Sequence, residues 1–152
     1  MIYKQYICSI YLSLKKFTLD IDNKDESFFY GLICNEKNAR LAWLINRAIE
    51  IDLTKDNSIE WFNDLENENF YFTKFVYNDE LNHLNYTFFA NYDDNIPLFT
   101  ELRAMKYFIL IEGGLTFFDE KLFFKKIKTI SEIQLISKID QSRLKQKVNL
   151  IL

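Results

Sequence analysis

Three glycines and one proline in 152 residues are too few to build a phosphate-cradling glycine loop or a glycine-rich dinucleotide fold. That scarcity rules out a large group of architectures before any pattern is considered. The residues that remain fold readily. The chain is 49% hydrophobic, 17% aromatic and 27% charged, which excludes a disordered tail, a low-complexity scaffold and a collagenous or mucin-like stalk. A chain of 152 residues suits one domain that buries roughly two thirds of its unfolded surface.

The clearest strand signal is Phe28 to Cys34, an unbroken apolar run that suits a strand buried on both faces. Asn35 follows as an expected N-cap. Leu41, Leu44, Ile45, Ala48 and Ile49 then recur at helical spacing, predicting an amphipathic helix over 36–50. Aromatic and β-branched residues predict strands at Ile59 to Phe62, Phe70 to Tyr77 and Leu84 to Tyr92, the last two joined as a hairpin. A turn around Asp93, Asp94, Asn95 and Pro97 leads into a strand from Met105 to Ile111, and Gly113 and Gly114 mark the next turn. Thr116 and Asp119 read as a capping-box start to a helix reaching about Thr129, with a strand from Ile133 to Ile139 and a short terminal helix from Ser142 to Leu150. Antiparallel strands bracketed by helices indicate a single α+β domain over 15–152, with two main helices on one sheet face. Residues 1–14 read as an extension or edge strand: the apolar stretch from Tyr6 to Leu14 is too short to span a bilayer, and no small-residue cleavage site follows it.

Formal charge is −3, which disfavours binding nucleic acid by bulk electrostatics, but the charge is unevenly distributed. Between Glu50 and Glu101 twelve acidic side chains face Lys55 and Lys74; from Leu115 onward eight basic side chains face four acidic ones. Cys8 and Cys34 cannot form a disulfide framework, and no spaced ligand set implies a metal. A reducing cytoplasm is the expected compartment, with no cofactor and no membrane attachment.

Three stretches carry a resemblance. They run from Arg40 to Asn46, from Leu98 to Phe108 and from Leu144 to Ile151, and together they resemble the IPExxxVDY family, a small uncharacterised bacterial family. In the naming motif Glu101 and Tyr107 match, Phe99 and Met105 replace Ile and Val, Thr100 stands where the family has proline, and Lys106 stands where it has aspartate. The resemblance implies the domain from about residue 15 onward and carries no established activity, cofactor or catalytic residue.

No catalytic constellation emerges. His83 is the only histidine and lies in a hairpin connection, whereas a triad or zinc site needs several convergent groups. Asp93, Asp94 and Asn95 lack the glycine and glutamate of a calcium loop, and the paired carboxylates Glu60/Asp64, Glu66/Glu68 and Asp79/Glu80 fall in polar connections. Glu101, expected beside the core, calls for an ion pair with Arg103, Lys106 or Arg40. Tyr107 is expected to pack its ring and hydrogen-bond its hydroxyl.

Two surfaces stand out as candidates for binding. Arg40, Trp43 and Arg47 fall at i, i+3 and i+7 of the first helix, and Trp and Arg are the side chains most enriched in hot spots; the alternative is that Trp43 completes the core. Lys121, Lys125 and Lys128 align on the second helix, with Arg143, Lys145 and Lys147 behind them, as an anion or RNA surface. Tyr71, Phe75 and Tyr86 are sheet aromatics able to stack on bases if exposed. The first reading is a non-enzymatic cytoplasmic domain that binds a protein partner or itself through the first-helix face or an open sheet edge. The second is a weak RNA-associated accessory protein, and the third a small enzyme with an acidic site near Glu101 and Tyr107.

Overall fold

The structure, a computed structural model, describes residues 27–144. The expected N-terminal extension over 1–14, Cys8, Lys145, Lys147 and most of the expected terminal helix lie outside the described residues.

Strand β1 (Ser27–Cys34) is an interior strand, pairing antiparallel with β7 (Tyr107–Gly113) on one side and β8 (Ile133–Lys138) on the other. Beyond β7 come β4 (Leu84–Ala90), β3 (Glu68–Asp79) and β2 (Thr54–Asn63), giving a six-stranded antiparallel sheet in the order β2-β3-β4-β7-β1-β8. Period-two alternation divides its apolar residues between two faces. Tyr30, Leu32 and Cys34 of β1, Phe88 of β4 and Ile109 of β7 share one core cluster with Leu41, Ala42 and Ile45 of helix α1 (Asn38–Ile49) and Phe123 and Ile127 of helix α2 (Glu120–Ile127). Both helices therefore cover the same face, as the α+β pattern requires.

The opposite face is sealed by a loop. Phe29, Phe72, Phe89 and Phe108 point to it, and Leu98 and Phe99 fold over them, with Phe99 set edge-on to Phe108 at 5.3 Å between ring centroids. Leu98 and Phe99 belong to the segment 91–106, which contains the two-stranded ribbon of β5 (Tyr92–Asp93) and β6 (Ile96–Pro97) and a 3₁₀ turn, Thr100–Leu102. Asn91, fully buried, holds it down: its Nδ2 donates to the carbonyls of Leu102 (3.1 Å) and Met105 (2.9 Å), and its Oδ1 accepts from Phe99 N (2.9 Å). This amide ends β4 two residues before the expected Tyr92.

Other boundaries differ from the sequence expectation for local reasons. Helix α1 begins at Asn38, and its N-cap is Lys37 rather than Asn35, because Glu36 is tied into the loop: its N–H donates to Cys34 Sγ and its carbonyl accepts from the Tyr107 hydroxyl. Helix α2 is capped by Asp119 itself, whose side chain accepts from Leu122 N, while Thr116 sits in a preceding 3₁₀ turn. The helix stops at Ile127, where the Thr129 hydroxyl donates to the Lys126 carbonyl. β2 begins five residues before Ile59, carrying exposed polar residues along an edge with an irregularity between Asp56 and Ile59. At the C-terminal side, Gln141–Arg143 form one 3₁₀ turn and Leu144 is extended, so no α-helix starts at Ser142.

Candidate functional site

Helix α1 turns its buried stripe of Leu41, Ala42 and Ile45 toward the sheet, and the 3.6-residue repeat then sends Arg40, Trp43 and Arg47 outward. Trp43 keeps 50% of its surface exposed. It lies on the helix exterior and does not complete the core. The Arg47 guanidinium lies over its ring, 4.9 Å from the centroid. Arg40 is tethered twice, by Nε to Glu36 (3.2 Å) and by Nη2 to Glu132 (3.3 Å). The Glu132 carboxyl is held below its usual range by its own backbone N–H, by the Ser131 hydroxyl and then by Arg40. The three side chains form a continuous row whose aromatic member is held from one side by a cation.

At the N-terminal end of α1 the fold opens a groove of about 750 Å³. Its walls come from β1, the entry to β7, the β2–β3 pair and the start of α1. β1 ends there at Cys34; the backbone N–H of Lys106 donates to the Leu32 carbonyl, which sets Lys106 and Tyr107 beside it; and Lys55 of β2 pairs across from Phe75 of β3. Lys37 and Asn38 close the helix side. Tyr107 fulfils its expectation. Its ring is buried against Phe88, and its hydroxyl donates to the Glu36 carbonyl and lies 3.1 Å from Asn38 Oδ1. Burial pushes both the Cys34 thiol and the Tyr107 hydroxyl up, so both are neutral near pH 7. The groove takes its charge from Lys37, Lys55 and Lys106.

Lys121, Lys125 and Lys128 are exposed along α2, with Lys128 Nζ 5.7 Å from the Phe124 ring centroid. The row stands as α2 alone among the described residues, since nothing is described of the Arg143 side chain and Lys145 and Lys147 lie beyond. Of the aromatics expected to stack, Tyr71 is exposed, but Phe75 and Tyr86 are buried under the helices. Burial, with Asp79 and Tyr77 adding, pushes the Tyr86 hydroxyl up to about 12.

Glu101 lies on the outside of its 3₁₀ turn, exposed rather than entering the core, because Phe99, Leu102 and Met105 take the inward positions at threefold spacing. Arg40, one of its expected partners, is bonded to Glu36 and Glu132 instead. His83 sits at the β3–β4 turn in the left-handed region, its carbonyl accepting from Gly114 N (2.7 Å). Asp93 accepts from Tyr71 N and Asp79 caps Asn82, so both serve local structure; Glu60, expected in a connection, lies within β2 opposite Tyr71, whose hydroxyl donates to it.

The groove was not anticipated from sequence. Its lysines are separated by up to 69 positions and look solitary in the chain. No signal in the sequence marked it, because Lys37 lay inside the expected helix and stands at its N-cap, where acidic or small polar residues are usual, only in the structure. No helix among the described residues is long and apolar enough to cross a membrane. Comparison of the chain with protein-family models, with curated proteins and with solved structures finds no match.

Proposed function

We propose that this chain is a cytoplasmic binding domain that docks a protein partner on the outer face of α1. The observation that carries the reading is Trp43, half exposed and stacked under Arg47. A large ring left in water with its orientation already restricted loses little entropy when a partner covers it, and such Trp/Arg pairs dominate interface energetics. Arg40 is largely neutralised by Glu36 and Glu132, so Arg47 is the cation presented to the partner. The partner's complementary surface is an apolar pocket for the indole with a carboxylate or carbonyl beside it. The resemblance to the IPExxxVDY family supplies no activity, and the proposal rests on the surface alone.

The test compares the tagged full chain with its Trp43→Ala/Arg47→Ala variant in capture from native lysate, with and without nuclease. A stoichiometric protein that survives nuclease and is lost with the variant, whose melting temperature is unchanged, is the expected result. A partner retained by the variant contradicts the proposal, and recovery that vanishes with nuclease moves the reading to nucleic acid. Sedimentation of the purified chain separates a foreign partner from a second copy.

A further inference from the structure

We propose that the groove at the N-terminal end of α1 is a binding site for a small phosphomonoester, distinct from the outer face of the same helix. A cavity of about 750 Å³ is ligand-sized, larger than a lone phosphate fills. Three lysines from three different places in the chain, Lys37, Lys55 and Lys106, line it, and among the described residues none of them makes an ion pair. The single carboxylate on the wall, Glu36, is engaged by Arg40. Three exposed ammonium groups facing one concavity give it a positive field that an anion entering it would meet.

The helix adds to this. Asn38 and Ala39 of the first turn border the groove, the N-cap makes no side-chain hydrogen bond, and the first turn holds no acidic residue. A lysine at the N-cap is a cation at the positive end of the macrodipole, an arrangement unfavourable to the helix by itself and favourable only with a counter-anion nearby. Phosphate oxygens suit the combination, accepting from uncapped backbone N–H groups while ammonium groups neutralise the dianion. Phe75 and Tyr107 give the groove an apolar floor for the organic part of the ligand, and Tyr107 also positions the first turn through its hydrogen bonds to Glu36 and Asn38.

The experiment is an amide chemical-shift titration of the full chain with inorganic phosphate and with adenosine 5′-monophosphate, using adenosine as the uncharged control. Saturable shifts at Asn38, Ala39 and Arg40 with both phosphates, tighter for the nucleotide and absent with adenosine, are expected. Lys55→Gln/Lys106→Gln should weaken nucleotide binding at least about tenfold, since each lost charge-assisted contact is large on this scale. Both side chains are exposed, so an unchanged melting temperature verifies the fold. Lys121→Gln/Lys125→Gln on α2 should leave affinity within about twofold, as expected for cations outside the site. No saturable shift, shifts centred on α2, or undiminished binding by the groove variant overturns the proposal. Tighter binding of a single-stranded RNA oligonucleotide than of the mononucleotide, with a steeper salt dependence, also overturns it by assigning the groove to a polyanion.

Discussion

Asn91 organises more of the molecule than any other single polar side chain described. With no solvent exposure and three side-chain hydrogen bonds into 99–105, it fixes the segment that seals one sheet face. Asn91→Ala takes their side-chain partner from the Met105 carbonyl and the Phe99 N–H, while the Leu102 carbonyl keeps its bond from Met105 N, and urea unfolding should register a loss of about 3 kcal/mol. Gly113 is constrained differently. Its φ of 99° and the His83 carbonyl pressed against the place where a Cβ would stand forbid a side chain, so Gly113→Ala should cost about 3 kcal/mol through strain and clash. The neighbouring Glu112 is half-buried, and desolvation raises its carboxyl above the ordinary value of 4.5. A raised acid favours the folded state while protonated. Its contribution is complete below the unfolded pKa and is lost as pH rises through the folded one. Glu112→Gln should therefore gain on the parent chain between about pH 4 and pH 7, measured as the difference in urea midpoint at the two ends. An unchanged difference would mean the carboxyl is solvated. At this scale the sequence was partly legible. Tyr107 packed and bonded as its residue type demands, whereas Asn91 looked like part of a strand because an asparagine beside apolar residues gives no sign of being buried.

Helix α1 does two things with two surfaces, and its capping shows a tension between stability and binding. The Lys37 backbone, at φ −76° and ψ 154°, is already in the extended conformation that an N-cap acid uses. Lys37→Asp should stabilise the chain by about 1 kcal/mol while weakening phosphate binding, and thermal unfolding with and without phosphate measures both. A variant that is neither more stable nor weaker in binding would show that the helix end is already satisfied. Trp43→Ala, by contrast, should change stability by less than about 0.5 kcal/mol, since the ring packs on the exterior. Elements with strong periodicity were readable. The apolar run of β1 and the 3.6-residue stripe of α1 both fall where expected, because burial on the sheet dictates them directly. The early part of β2 was not readable, since an exposed edge of Thr54, Lys55, Asp56, Asn57 and Ser58 carries no alternation. The 3₁₀ spacing of Phe99, Leu102 and Met105 was present in the chain but is too short to separate from a loop.

Over the whole described molecule, the two charged stretches of the chain meet in places, as where Lys126 of α2 pairs with Glu50 at 3.9 Å. Strands β2 and β3, from the acidic middle of the chain, lie at one end of the sheet order and β8 at the other, with β4, β7 and β1 between them. The groove places Lys55 from the acidic middle of the chain and Lys37 and Lys106 from loops against the start of α1. Convergence of this kind is a property of topology and could not be read from spacing along the chain. The α+β class could, because runs of aromatic strands with two amphipathic helices leave few other ways to cover a sheet. The central claim concerns the outer face of α1, and photo-cross-linking in cells tests it most directly, with a benzophenone side chain placed at position 43 and, as control, at position 121 on α2. A single protein adduct of defined mass from position 43, absent from position 121, is the predicted result. No adduct from position 43, or the same adducts from both positions, would contradict the account.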